Sequence, residues 1–198
     1  MNNGDTNKRH VAANLPNAQV AAGRVAILCV GNILMLDEGA APRVAAELLA
    51  RYEFPENVEV LDRGTMGMAL LADLKRFDVI LLVDAVDNTG QPPGTVVTYL
   101  PEEIAPYEAF HGAHDTRFID VLEAAALVGY TPEAHCLGVQ VQNMLPSEYA
   151  IGLTPPVEAA IPFLVECVIG FLNQRNIHPV CHGDVSPDTL NHGDALTH

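Results

Sequence analysis

The sequence predicts an α/β fold with three layers: a mostly parallel, twisted sheet carrying helices on both faces. Three observations predict it. Short apolar runs rich in β-branched residues are stopped by turn residues, as in strands buried on both faces. Segments with apolar residues at helical spacing lie between them. The two kinds alternate along the chain, which is the pattern of a parallel sheet under covering helices with right-handed crossovers.

The elements follow in order. RVAILCVGN, residues 24–32, reads as the first strand, stopped by Gly31-Asn32. DEGAAPRVAAELLARYEF, residues 37–54, reads as a helix, with Asp37 as cap and Pro42 in the first turn, where a missing N–H does little harm. NVEVLDRGT, residues 57–65, alternates and ends at Gly64, so it is the second strand. MGMALLADLKRF, residues 66–77, is a second helix with Met68, Leu71 and Leu74 on one side. DVILLVDAVD, residues 78–87, is the third strand. NTGQPPGT is a turn cluster and TVVTYL a short strand behind it. Residues 101–116 form a loop holding His111 and His114. RFIDVLEAAALVG places Phe118, Val121, Leu122 and Ala125 at helical spacing and stops at Gly129. EAHCLGVQV, residues 133–141, is another strand. Residues 153–175 read as a long last helix, with Thr154 as a cap candidate and a kink at Pro162.

A single domain over residues 24–175 is expected, with a flexible leader, 1–23, and a flexible polar tail, 176–198. Apolar residues make up 49% of the chain, which excludes a disordered or fibrous class. No apolar run reaches the ~18 residues that span a bilayer, and the leader lacks the apolar block of a signal peptide, so a cytoplasmic protein without membrane insertion is expected. The net charge of −15 repels phosphates, disfavouring nucleic acid and anionic membrane and favouring a basic protein or a cationic metal. The four cysteines, Cys29, Cys136, Cys167 and Cys181, show no Cys-x-x-Cys pair. The first three sit in apolar runs as small hydrophobes, and neither a disulfide framework nor a zinc ribbon is expected. His178, Cys181, His182, His192 and His198 read as incidental to a dangling tail.

In such sheets the ligand crevice lies beyond the carboxyl ends of the strands. Asp37 and Glu38 follow the first strand, Asp62 ends the second, Asp84 ends the third, and the loop of His111 and His114 follows the fourth. All are expected on one rim. An acid closing the run ILLVDAV is costly to bury unless paired, protonated or bound to a metal; a strand-end Asp also commonly bonds to backbone N–H groups. Asp37 suits a helix cap. Glu38 has a longer reach toward the crevice, or stands as a solvated first-turn acid. His111 and His114 compete for the loop position, and either is also ordinary polar surface. Two carboxylates and one imidazole make a three-ligand site with open positions, suited to a borderline divalent ion such as nickel or zinc. Gly-x-Ser-x-Gly, His-Glu-x-x-His and Gly-x-Gly-x-x-Gly are all missing. No activated nucleophile is visible, so any hydrolysis on this rim would need water and a carboxylate base, with Asp37, Asp62 and Glu38 as candidates.

Five segments together resemble the hydrogenase maturation proteases, across roughly residues 25 to 173. VGNILMLDEGAAPRV resembles the family's Gly-Asn-x-Leu-x-x-Asp-Glu-Gly opening. VEVLDRGTMGMALL resembles its Asp-Gly-Gly-Thr-x-Gly segment, with Arg63 in place of the first Gly. DVILLVDAV followed by PPGTV, then HDTRFIDVL, then IGLTPPVEAAI complete the series in order. The resemblance implies an endopeptidase that removes a short C-terminal peptide from the immature, nickel-loaded large subunit of a [NiFe]-hydrogenase. It implies that Glu38, Asp84 and His114, rather than His111, contact the nickel, which is carried by the substrate and serves as a checkpoint. It places Asn32, Arg63, Gly64 and Thr65 in motifs that meet the substrate. Two rival readings use the same rim: a non-catalytic metallochaperone or binding module for the immature subunit, and a nickel-independent peptidase of the germination-protease kind.

Overall fold

The computed structural model describes residues 23–65, 67–101 and 118–182. Its strands are β1 (Val25–Cys29), β2 (Tyr52–Glu53), β3 (Val58–Asp62), β4 (Val79–Val86), β5 (Val96–Tyr99), β6 (Glu133–Gln140) and β7 (Val180–Cys181). Its helices are α1 (Ala40–Arg51), α2 (Leu71–Leu74), α3 (Phe118–Leu127), α4 (Pro155–Glu158) and α5 (Ile161–Asn173). Single 3-10 turns, Leu36–Gly39 and Gly67–Leu70, precede α1 and α2.

Five strands form the main sheet in the order β3-β1-β4-β6-β5. All pair in parallel except β5, which runs antiparallel on β6. The predicted α/β, mostly parallel sheet is therefore present. Alternation along the strands separates the core into two layers. Val25, Ile27 and Cys29 of β1 face one way, with Leu81 and Val83 of β4, against Val44 and Leu48 of α1 and Leu164, Val168 and Phe171 of α5. Ala26, Leu28, Ile80 and Leu82 face the other way, against Leu70 and Leu74 near α2 and Val121 and Ala125 of α3. Burial on both faces is why β1, and β4 up to Asp84, read as unbroken apolar runs.

Several local expectations change. Met68 is exposed, and Leu70 and Leu74, one helical turn apart, carry the buried face instead. The last helix is broken rather than kinked. Ala159 and Ala160 separate α4 from α5, and Pro162 stands at the second position of α5, where it needs no partner for the N–H it lacks. Pro155–Asn173 is 19 residues of mean hydropathy 1.6, long and apolar enough by composition to cross a membrane. The expectation of no such stretch is thus corrected; its apolarity has a local cause, since Val157, Ile161, Leu164, Val168 and Phe171 bury on the sheet. Helix α3 ends as predicted at Gly129, whose φ of +86° lets Gly129 N–H reach Ala126 O and Tyr130 N–H reach Ala125 O, a Schellman closure.

Packing also continues past Arg175, where the tail was expected to begin. Ile177 is buried in the core, and Val180–Cys181 pairs antiparallel with Tyr52–Glu53. Arg175 is itself buried, donating to Glu133 Oε1, which also lies 2.6 Å from His135 Nε2. This cluster fastens the end of α5 to the start of β6. Residues 1–22 of the predicted leader and the tail from residue 183 lie outside the described residues, and the leader's last residue, Gly23, accepts from the Asn57 side chain at 3.2 Å.

Candidate functional site

From β1 the chain goes outward to β3, then returns past β1 to β4. The direction of winding reverses between β1 and β4, so their carboxyl ends border the switch-point crevice where open α/β sheets bind ligands. Three connections are knitted together there. Val30 N–H donates to Val83 O at 3.1 Å, Arg63 N–H to Cys29 O at 3.0 Å, and Gly31 N–H to Gly64 O at 3.0 Å.

The loop after β1 is folded around the backbone of Glu38. Asn32 N–H donates to Glu38 O at 3.2 Å, Glu38 N–H to Met35 O at 3.3 Å, and Met35 N–H to Asn32 O at 3.1 Å. The Asn32 side chain accepts from Leu34 N–H at 3.0 Å, so its amide oxygen shapes the turn. Gly31 is required by this wrapping: a Cβ there would lie 2.1 Å from Glu38 O. Glu38 is buried, not a solvated first-turn acid.

Asp37 does not cap α1. The residue at that cap is Gly39, with no side-chain hydrogen bond. The Asp37 carboxylate is fully buried and accepts four hydrogen bonds from residues more than a hundred positions away. Gln142 N–H, Asn143 N–H and Thr154 Oγ1 each donate to Oδ2 at 2.9 Å, and Thr154 N–H donates to Oδ1 at 2.7 Å. A carboxylate offers about four acceptor positions, so this one is saturated. Thr154 does stand at the N-cap of α4, as expected, but its hydroxyl serves Asp37 and makes no cap bond. Gln142, Asn143 and Thr154 were not among the predicted site residues; no local spacing in the sequence links them to Asp37.

Asp62 is exposed at the end of β3, and its Oδ1 accepts from Gly64 N–H at 3.0 Å. Gly64 has a φ of +51°, which is why the second glycine of this turn is retained. Arg63 carries no such requirement. Its guanidinium is engaged elsewhere, with Nε 2.8 Å and one terminal nitrogen 2.9 Å from the two oxygens of Asp73. The expectation that Arg63 meets the substrate is thus opposed by a bidentate pair that occupies its fork. Thr65 is exposed.

Asp84 accepts from the N–H of Ala85 at 2.8 Å, and its other oxygen has no hydrogen-bond partner among the described residues. Burial pushes its carboxyl up to about 7; the Ala85 N–H pulls down, and the charge of Glu38 pushes up further. Glu38 and Asp84 therefore feel each other across the crevice. Burial raises the Cys29 thiol strongly, and the charges of Asp62 and Asp84 add to that rise, which places both acids about this strand end. Tyr99 is raised by burial, then by Cys136 and Asp84. The structure thus gathers Glu38, Asp62 and Asp84 on one rim. His111 and His114 lie outside the described residues, among which no group of three or more His, Cys, Asp or Glu side chains is placed to hold a metal.

Fold and crevice together define an α/β protein with carboxylates gathered at the switch point of a mostly parallel sheet. The chain belongs to the hydrogenase maturation protease family, whose profile matches residues 42–171. It is 36% identical over 159 residues to the hydrogenase 2 maturation protease of Escherichia coli, covering 79% of this chain and 95% of that one. It is 33% identical over 172 residues to the hydrogenase expression/formation protein HupD of Rhodobacter capsulatus, covering 84% and 80%. Among solved structures it resembles the hydrogenase maturating endopeptidase HybD from Escherichia coli, with a TM-score of 0.73, 34% identity and 80% and 98% coverage. It also resembles the [NiFe] hydrogenase maturation protease HybD from Thermococcus kodakarensis, with a TM-score of 0.61, 26% identity and 75% and 98% coverage. The chain is accordingly a hydrolase of peptide bonds that acts in hydrogenase maturation.

Proposed function

We propose that this endopeptidase removes a short C-terminal peptide from the nickel-loaded precursor of a [NiFe]-hydrogenase large subunit. The nickel arrives with the substrate, and Glu38, Asp84 and His114 contact it. The observation that carries this reading is the placement of two carboxylates, Glu38 and Asp84, at the carboxyl ends of the neighbouring strands β1 and β4, on one crevice where carboxylates oppose each other when ionised. A divalent cation resolves that opposition, and a precursor lacking one meets a rim that its own apolar and polar groups cannot neutralise. Nickel then acts as a checkpoint. Loaded precursor is held with its scissile segment over the crevice; unloaded precursor is not.

Of the candidate bases, Asp37 is saturated by its four donors, and Glu38 is committed to the cation. Asp62 is exposed and has one oxygen engaged, so we assign it to take the proton from the attacking water. The reaction is then of the aspartyl-protease kind, with Asn32, Gly64 and Thr65 bordering the substrate. Four cysteines without a disulfide fit a reducing compartment, and we place the step in the cytoplasm.

The test incubates the protein with nickel-loaded and nickel-free precursor and follows the length of the large subunit on a gel. Cleavage of the loaded precursor alone is expected, and His114→Ala should abolish it while leaving the unfolding transition unchanged. Equal cleavage of both precursors, or normal cleavage by the variant, refutes the reading.

A further inference from the structure

The residues between β6 and α4 form a loop whose two ends are both tied to Asp37: Gln142 and Asn143 at one end, Thr154 at the other. Ends held together in this way define a compact Ω-like loop. It leaves β6, whose neighbour β4 ends beside Asp84, and comes back along the loop of Glu38. There Ala150 N–H donates to Leu34 O at 2.9 Å and Leu36 N–H donates to Ala150 O at 2.8 Å, a parallel β-bridge between Met35 and Ala150.

Ala150 spends its N–H and C=O on the Glu38 loop, as an isolated bridge. The main-chain groups of Tyr149 and Ile151 on either side of it have no partner among the described residues, and in a ladder the residues flanking a bridged one turn their groups to the opposite side. Both side chains are also left in solvent, at 80% and 78% exposure, with Ile33 and Leu34 exposed in the turn just before Met35. In a chain of net charge −15, residues 142–154 contain one charged side chain, Glu148. The feature is a short open edge with an apolar, nearly uncharged flank, joined by hydrogen bonds to the loop that carries Glu38.

We propose that Tyr149–Ile151 is the edge on which the extended C-terminal segment of the precursor is docked for cleavage. The occupant is argued from three facts: the chain is an endopeptidase, the edge is continuous with the Glu38 loop, and its flank lacks charge. The main chain of the segment pairs with the outward groups of Tyr149 and Ile151, a β-augmentation, and apolar side chains of the segment rest on Tyr149, Ile151, Ile33 and Leu34. Asp37 is then a positioning residue that holds this edge against the rim. The proposal rests on the assignment of the precursor as substrate.

The test measures binding apart from cleavage. A peptide with the precursor's own C-terminal sequence is titrated into the full chain, in three forms: unmodified, N-methylated at alternate positions, and N-methylated at the complementary positions. Pairing along one edge has a period of two, so one methylated form should lose binding by about tenfold or more and the other should keep it. The double variant Tyr149→Ser, Ile151→Ser, whose side chains are mostly in solvent, should stay folded, bind the unmodified peptide about tenfold more weakly and raise KM with kcat unchanged. Affinity should change little between about 50 and about 500 mM salt, since the contact is apolar and main-chain. Equal effects of the two methylation patterns, or unchanged binding by the double variant, overturn the proposal. Peptide that binds in this manner to a protein that does not cut the precursor overturns the proteolytic assignment instead.

Discussion

Replacing Asp37 tests whether it fastens the site or performs the chemistry. Asp37→Ala removes the acceptor for three backbone and side-chain donors on Oδ2 and one on Oδ1, all around a carboxylate with no exposed surface. A hydrogen bond to a charged group contributes about 1.5–3 kcal/mol, and a buried donor left without a partner costs a similar amount. The four are not additive, because water entering the vacated space satisfies some of them. The expected loss is about 4 kcal/mol, against a total stability of about 5–15 kcal/mol for a domain of ordinary size. Asp37→Asn is informative because it is isosteric. Its amide oxygen serves the three donors at the Oδ2 position, and its NH2 group then faces Thr154 N–H, donor against donor. One contact is broken instead of four, so about 1–3 kcal/mol is expected. Urea unfolding followed by circular dichroism gives both values, and processing of loaded precursor is measured in parallel. The expected order of stability is wild type, Asn, Ala, with activity lost in step with stability and with order in the 142–154 loop. An Asn variant as stable as wild type and without activity would show that Asp37 works on the substrate, and the fastening role would fall.

Two further outcomes follow from the same rim. Gly31→Ala drives a Cβ to 2.1 Å from Glu38 O, so the loop must shift; a loss of about 1–3 kcal/mol in urea unfolding is expected, with processing impaired beyond what that loss explains. Asp84 gives a pH dependence. Its carboxyl is raised from 3.8 to about 7, so between those values the folded state holds a proton that the unfolded chain has released, and the unbound protein loses stability as pH rises, by up to about 1.4 kcal/mol per pH unit. Asp84→Asn should flatten that slope when unfolding is measured from about pH 5 to about pH 8; an unchanged slope would show that Asp84 is not its source.

Much of the fold was legible because local pattern and burial agree. β1 is apolar throughout and β4 is apolar but for Asp84 since both sheet faces are covered, and α3 stops at Gly129 since a left-handed position is needed there. The acids at strand ends were legible for a topological reason: a parallel sheet sends all its carboxyl ends to one side. What was illegible depends on distant partners. Asp37 looked like a cap because Asp before a helix usually is one; its true donors come after β6, and no local pattern carries a separation of that length. Arg63 looked available to a substrate because its captor, Asp73, sits on the next helix and reads there as ordinary surface charge. The end of the domain was set too early because Val180–Cys181 is a strand of two residues, paired with another of two.

The neighbouring acids Asp37 and Glu38 divide their work through the partners that meet them. Both are buried, both lie in one 3-10 turn, and they differ by a methylene. The shorter side chain stays close to its own backbone and is enclosed by N–H groups of the returning loop, which fully satisfies it. Glu38 reaches one bond farther, and the charge it meets across the crevice is another carboxylate, Asp84. One acid is thereby satisfied by folding, while the other faces a second carboxylate, and in the proposed function that place receives the cation carried by the substrate. The two roles are coupled through the backbone, because the bonds that hold Asp37 also fix the turn from which Glu38 projects. Loosening the fastening residue should therefore weaken recognition of loaded precursor before it unfolds the domain, and a graded series at Thr154, beginning with Thr154→Val to delete a single donor to Asp37, would reveal that order.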